Sequence, residues 1–159
     1  VTGVQTCALP ILRFAIRSAL IDAVKIEGSL DEDDIDDIAG QAVDLGSVPI
    51  IVIRADQGAK ADELVQKMES RWDLEAKTFE LAVPVQTKED IQALEDAAKA
   101  FHEAHHDATV IPHPIGKIAK EAMLQGQTFG APLLYTTDGE ETETLPTSTA
   151  IHKLLHPEE

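Results

Sequence analysis

The run VPIIVI at positions 48–53 decides the fold, because it is a continuous apolar stretch of strand length. Strands with one solvent-exposed face alternate apolar and polar residues, whereas strands of parallel sheets are apolar throughout because both faces are buried. On either side, apolar residues recur at helical spacing. They are Leu30, Ile35, Ile38, Ala42 and Val43 upstream, and Leu64, Val65 and Met68 downstream. The run therefore predicts a buried strand between two helices.

Four other short β-rich runs repeat this arrangement along the chain. They are AVKIE at 23–27, TFELAV at 78–83, ATVIP at 108–112 and APLLY at 131–135. Their starts lie 23 to 30 residues apart with predicted helices between them, which is the length of one strand–helix unit. The pattern predicts an α/β protein with a parallel sheet, either a doubly wound sheet or a TIM barrel. In both architectures, functional side chains lie at the carboxyl ends of the strands.

The first eleven residues, VTGVQTCALPI, do not fit this pattern. Back-translated, they give a common sequencing-library adapter read in frame, and they lack the basic start and cleavage site of a signal peptide. We expect residues 1–11 to be an adapter-derived artefact and residues 12–159 to be part of a larger domain whose N-terminal strands are missing. Cys7, the single cysteine, lies in the artefact, so we expect no disulfide and no cysteine-based zinc site.

The charge balance limits the classes of partner. The chain has 29 acidic and 13 basic residues, a net charge of −16. Nucleic acids and anionic lipids bind basic surfaces, so neither is expected as a partner. No apolar run approaches the roughly 20 residues that a membrane span needs. The composition is typical of a cytoplasmic protein.

The C-terminal third carries an ordered set of motifs, HPIGKIAKEAMLQGQTFGAPLLY at 113–135 followed by LPTSTAIHKLL at 145–155. This order resembles the last two strand–helix units of the type I 3-dehydroquinate dehydratases. That family has G-x-x-S-R after its seventh strand, then F-G-S-x-x-x-[FY], an A-P-G-Q loop and a closing helix. The matching positions here are Gly116, Lys120, Phe129, Gly130 and Tyr135.

The resemblance continues upstream in the same order. ELAVPVQTKED at 80–90 is similar to K-[IL]-A-x-x-x-Q-[ST]-x-x-D, VPIIVIRAD at 48–56 to x-I-[IV]-S-x-H-D, and DAVKIEG at 22–28 to D-x-[IV]-D-[IV]-E. The last two motifs match at Asp56 and Glu27. The resemblance implies the C-terminal part, about strands four to eight, of a TIM (β/α)8 barrel that takes a small-molecule carboxylate.

The family dehydrates 3-dehydroquinate to 3-dehydroshikimate, a step of the shikimate pathway for aromatic amino acids. Its sixth-strand lysine forms an imine with the ketone, and its fifth-strand histidine moves the proton. Here Glu80 stands at the lysine position and Ala55 at the histidine position. Glutamate cannot form an imine and alanine cannot carry a proton. We therefore expect this copy to retain neither catalytic group and to be inactive or to have altered chemistry.

Four residues remain as predicted substrate contacts: Glu27, Lys120, Phe129 and His113. Lys120 replaces the family's arginine, which keeps a charge for a substrate carboxylate but loses the bidentate fork. Glu27 is expected to contact a ligand or Lys120, and His113 to face the barrel mouth. The resemblance implies no cofactor and no metal, and a homodimer of the full-length protein is a further predicted partner.

Two other motifs have structural explanations. The acidic run at 31–37 lacks calcium-loop spacing and is typical of a first helical turn. HEAHH at 102–106 matches the H-E-x-x-H zinc pattern formally, but it ends a predicted helix away from the site. Lys77 lies an odd number of positions before Glu80, so it is expected on the opposite, helix-facing side of the strand.

Three alternative functions follow from these observations. The first is a barrel without catalysis that binds a small carboxylate through Lys120. The second is a doubly wound ligand-binding domain that is unrelated to the dehydratases. The third is a metallohydrolase that uses the HEAHH segment.

Overall fold

The computed structural model describes residues 22–156. The segment expected to derive from adapter lies outside this range. The strands are β1 (Ala23–Glu27), β2 (Val48–Arg54), β3 (Thr78–Pro84) and β4 (Thr109–Ile115). The helices are α1 (Glu32–Asp44), α2 (Ala61–Glu69), α3 (Lys88–Ala104), α4 (Lys117–Met123) and α5 (Ser148–Leu155). The first four predicted strands are confirmed.

The four strands form one parallel sheet in the order β1-β2-β3-β4. Each strand therefore lies beside its predecessor in sequence. A doubly wound sheet reverses its strand order at a switch point, whereas a barrel adds each new strand to the same edge. The described strands show no reversal, which favours the barrel arrangement over the doubly wound alternative.

Alternation along the strands separates the two faces of the sheet. One face joins the helices in a single hydrophobic core, to which β1 gives Ile26, β3 gives Phe79 and Leu81, and α3 gives Leu94 and Phe101. The opposite face is called the inner face below, because it is the side that a barrel would enclose. Its polar residues include Lys25 and Glu27 on β1 and Glu80 on β3.

Side-chain caps fix the starts of α1 and α3. Asp31 caps α1 by accepting from the Asp33 N–H, and acidic residues fill the first turn of that helix. Thr87 and Asp90 form a reciprocal capping box at the start of α3. The acidic run at 31–37 is therefore a helix start, as predicted.

The prediction of a fifth strand at 131–135 is wrong, because no strand forms there. β4 explains part of the difference. At its two ends, the Thr109 N–H donates to the Lys77 carbonyl and the Ile115 carbonyl accepts from the Val85 N–H, the residues that flank β3, and alternate residues of a parallel strand bond to the same neighbour. Pro112 and Pro114 therefore face the open edge, and neither has an N–H to donate to another strand.

The segment before the predicted fifth strand also opposes an extended conformation. Phe129 and Gly130 have left-handed φ values of 58° and 68°, and Pro132 lacks an N–H. The chain instead makes one isolated bridge between Thr137 and Thr147 before α5 begins. No helix within residues 22–156 has the length and apolarity to cross a membrane.

Candidate active site

Glu80 is the centre of a polar cluster on the inner face of the sheet. It is a charged residue in the middle of β3, and it is only 2% exposed. A buried carboxylate needs hydrogen-bond donors to replace water. Glu80 has three: His113 at 2.7 Å from Oε1, and Tyr135 and Lys25 each at 2.6 Å from Oε2. We call these four residues the Glu80 cluster.

The donors keep Glu80 ionised. Burial alone would raise its pKa, because a low-dielectric environment disfavours charge. Hydrogen bonds from the three donors, together with the positive charge of Lys25, outweigh burial and lower the pKa from 4.5 to about 2. The side chain therefore accepts hydrogen bonds through both of its oxygens at neutral pH.

The ionised state of Glu80 determines the proton position on His113. A carboxylate can only accept hydrogen bonds, so the 2.7 Å contact requires that His113 donates from Nδ1. In the neutral ring the proton then lies on Nδ1, and Nε2 is free to accept one. A carboxylate that orients a histidine in this way is the arrangement that general acid–base catalysis uses.

Tyr135 closes the cluster from the segment that follows α4. Its ring stacks on His113 with centroids 4.0 Å apart, and its hydroxyl donates to Glu80. Burial raises the pKa of the Tyr135 hydroxyl, and the hydrogen bond to Glu80 raises it further. The hydroxyl therefore stays protonated, and it fixes this segment over the sheet even though no fifth strand forms.

Lys25 brings a primary amine to the same carboxylate from β1, two strands away. Its Nζ lies 2.6 Å from Glu80 Oε2 and 4.0 Å from the centroid of the Tyr135 ring. The Lys25 side chain is 46% exposed, so one side of the cluster is open to solvent. The site thus combines an amine, a histidine with a free ring nitrogen, a phenol and a carboxylate.

Glu27, predicted to contact a ligand or Lys120, pairs with another residue in the structure, and the contact with a ligand stays a prediction. Glu27 accepts two hydrogen bonds from Arg54 on the neighbouring strand, at 2.9 and 2.7 Å. Lys120 instead contacts Glu141 at 2.7 Å and donates to the Thr142 carbonyl at 2.6 Å. Each partner is close for a simple reason: Arg54 lies on the adjacent parallel strand, and residues 141–142 belong to the loop that returns past α4.

The other predicted positions separate into two groups. His113 lies in the Glu80 cluster, at the carboxyl half of β4 as the sequence indicates. Ala55 follows β2 and packs against the hydrophobic core. Phe129 is also a core residue, and it lines a cavity together with Ala108 and Thr109, at the opposite end of β4 from His113. The structure therefore brings His113, but not Phe129, to the cluster.

Lys77 lies on the helix side, as predicted. Its Nζ is 3.9 Å from the centroid of the Trp72 ring, and it donates to the Trp72 carbonyl. Trp72 in turn packs on Phe79 and Phe101 of the core. This placement separates Lys77 from Glu80 by the thickness of the sheet.

The histidines of HEAHH contact other groups. His102 lies 3.1 Å from the Ala108 carbonyl, and His105 lies 2.9 Å from Glu69 and stacks on Trp72. Within residues 22–156, no group of three or more metal-ligating side chains is arranged to hold an ion. The described structure gives the metallohydrolase alternative no support.

Lys25 is the member of the Glu80 cluster that the sequence motifs do not predict. The motif D-x-[IV]-D-[IV]-E, which Glu27 matches, has an acidic residue at the position of Lys25. The period of two along a strand also places Lys25 and Glu27 on one face. Relative to the family motifs, position 25 changes from an acidic residue to lysine and position 80 from lysine to glutamate. These two opposite changes of charge indicate a paired substitution.

A sequential parallel sheet whose strands alternate with helices defines an α/β protein. The chain belongs to the type I 3-dehydroquinase family, whose sequence model matches residues 3–158. That match begins inside the segment expected to be adapter, so the origin of residues 1–11 stays a prediction. Among curated proteins, 3-dehydroquinate dehydratases of Salmonella typhimurium and Salmonella gallinarum are each 28% identical over 121 residues.

Those alignments cover 75% of this chain and 48% of each relative, so the chain spans about half the length of the curated relatives it matches. Solved structures agree on the fold. The type I 3-dehydroquinate dehydratase of Clostridium difficile, described with covalently modified comenic acid, has a TM-score of 0.83 at 17% identity. The Geobacillus kaustophilus 3-dehydroquinate dehydratase has a TM-score of 0.77 at 16% identity. Both alignments cover 99% of this chain and 63% of the other.

Proposed function

We propose that this chain binds a small oxo acid of the 3-dehydroquinate class at the Glu80 cluster, and that His113 is its acid–base residue. The observation that carries the proposal is the 2.7 Å contact between His113 and the buried, ionised Glu80. Family membership supports the ligand class. The replaced residues 55 and 80 are the reason to expect chemistry different from that of the other members.

The proposed arrangement moves the family's acid–base role by two strands. In the family pattern the histidine follows the strand that corresponds to β2, where this chain has Ala55. His113 on β4 offers the same chemical group, and Glu80 holds it in one tautomer with Nε2 free. Any imine at position 80 is excluded by chemistry, because a carboxylate has no nucleophilic amine.

The barrel context is also part of the proposal. The collinear motifs and the fold match support an assignment of β1 to β4 to strands four to seven of a TIM barrel. The segment 129–137 then takes the place of the eighth strand. A cytoplasmic location is proposed as well, with the strongly acidic composition as its support.

Calorimetric titration with 3-dehydroquinate tests the proposal. The full chain is expected to bind the ligand, and His113→Gln to bind it more weakly while it keeps the far-ultraviolet circular dichroism spectrum of the parent. Lys77→Arg, on the other face of the sheet, is the matched control and should bind as the parent does. A folded chain that releases no heat with 3-dehydroquinate, or a His113→Gln variant with unchanged affinity, would refute the proposal.

A second function, carboxylate binding without catalysis, is favoured by the Lys120 contact. Lys120 stands at the family's arginine position, and a carboxylate of this chain, Glu141, lies 2.7 Å from its Nζ. Glu141 thus occupies the place that a ligand carboxylate would take. Turnover distinguishes the two functions: a bound ligand that is recovered unchanged supports binding alone, whereas formation of the conjugated dehydration product supports catalysis.

A further inference from the structure

Lys25 is the one amine in the Glu80 cluster, and it is accessible. Its Nζ contacts the carboxylate that occupies the family's lysine position, while 46% of its side chain remains exposed. The Lys25 amine therefore lies within hydrogen-bond distance of Glu80, the residue at the position where the family has its imine-forming lysine. A ligand that entered this side of the cluster would meet Lys25 first.

The other lysines near the sheet are less suited to react with a bound ligand. Lys77 packs on Trp72 on the opposite face. Lys120 is only 17% exposed and is held by Glu141 and by the Thr142 carbonyl. Lys25 is thus the amine that combines an inner-face position with exposure and with a neighbouring acid–base group.

We propose that Lys25 is a carbonyl-reactive amine that forms an imine with the small oxo acid bound at the Glu80 cluster. This inference rests on the proposed function, since it requires the ligand to bind there. Lys25 would then be a catalytic residue, and Glu80 a positioning residue that holds both the amine and His113.

The condensation balances without any further reagent. The Lys25 nitrogen forms a bond to the carbonyl carbon, and the carbonyl oxygen leaves as water with two of the three ammonium protons. The third proton stays on nitrogen, so the product is an iminium with the same positive charge as the starting ammonium. The amine must release one proton before it attacks, and in this proposal His113 takes that proton through Nε2 and returns it to the oxygen.

The charges of the cluster suit this product. Glu80 pairs with a cation both before and after the condensation, so its buried charge is never left without a partner. The Tyr135 ring, 4.0 Å from Nζ, favours a cation in both states. The site therefore stabilises the iminium with contacts that already exist in the free protein.

Borohydride trapping with 3-dehydroquinate tests the inference, because borohydride reduces an imine to a stable secondary amine. The full chain is treated with both reagents, its intact mass is measured, and the modified residue is located by peptide mapping. The expected result is one adduct per chain, on Lys25. Lys25→Arg keeps the charge beside Glu80 but cannot form an imine, so the adduct should be lost, whereas Lys77→Arg should keep it.

Two outcomes would overturn the assignment of Lys25. One is the absence of an adduct in samples that bind 3-dehydroquinate by calorimetry; the other is an adduct on a different lysine. Because binding is measured on the same samples, failure of the imine is separated from failure of the proposed function. Peptide mapping of the parent chain locates the adduct directly, so the result does not depend on whether Lys25→Arg folds.

Discussion

Glu80→Gln should destabilise the fold by an amount that follows from the pKa of Glu80. The carboxyl pKa falls from 4.5 to about 2 on folding, and each pH unit corresponds to about 1.4 kcal/mol. The ionised carboxylate therefore contributes about 3 kcal/mol to the free energy of unfolding at neutral pH. Glutamine removes this charge and leaves Lys25 facing a neutral amide.

The sign of the pH dependence is fixed by the lowered pKa. The contribution is fully present above pH 4.5, where the unfolded carboxyl is ionised, and it is lost as pH falls toward 2, where the folded one is protonated. The stability gap between parent and Glu80→Gln should therefore be widest at neutral pH and narrow below pH 4.5. Other carboxylates titrate in both proteins, so they cancel in the difference.

Urea unfolding followed by circular dichroism at several pH values measures this gap. Glu27→Gln is the matched control, because Glu27 also forms an ion pair on the sheet but is partly exposed, with 38% of its side chain accessible. An exposed pair contributes about 0 to 1 kcal/mol. The reasoning fails if the two variants cost the same, or if the gap for Glu80→Gln does not change in acid.

Two further substitutions test neighbouring parts of the account. Gly116→Ala should lower the free energy of unfolding in urea by about 2 kcal/mol, because Gly116 has φ 150° and a Cβ there would lie 2.5 Å from the Val85 carbonyl oxygen. Gly139→Ala is the control and should leave stability unchanged, because a Cβ at Gly139 meets no atom within 4 Å. Equal costs for the two variants would contradict this prediction. Glu141→Gln should remove the ion pair that holds Lys120 and tighten 3-dehydroquinate binding, measured by calorimetry, up to about fivefold. Unchanged or weaker binding would show that Lys120 does not contact the ligand.

Several parts of the fold follow from local sequence. VPIIVI is apolar along its whole length because both faces of this strand are buried, so its pattern alone identifies β2. The side chains of Thr87 and Asp90 each accept a hydrogen bond from the other residue's backbone N–H, so the start of α3 can be predicted from local sequence alone.

The fifth strand was mispredicted because a strand needs a partner as well as a suitable sequence. APLLY has the composition of a buried strand, but the edge of β4 that it would join carries Pro112 and Pro114. Neither proline can donate to a new neighbour. Only the register of β4 against β3 shows which edge those prolines face.

The candidate site was predicted only in part for a related reason. His113 was identified because it follows a strand, and a carboxyl-end position can be inferred from order along the chain. Lys25 and Glu80 are 55 positions apart in sequence and meet across β2, so their contact depends on strand order, stagger and side-chain reach together. The pairing of Glu27 with Arg54 likewise depends on the register of two adjacent strands, which local sequence does not specify.

The proposed function rests most on His113 as the acid–base residue that Glu80 orients. Nitrogen-15 NMR of the His113 ring during titration with 3-dehydroquinate tests this directly. We expect a proton on Nδ1 in the free protein and an Nε2 resonance that shifts as ligand is added. A ring without a proton on Nδ1, or an Nε2 resonance that does not respond to ligand, would contradict this role of His113.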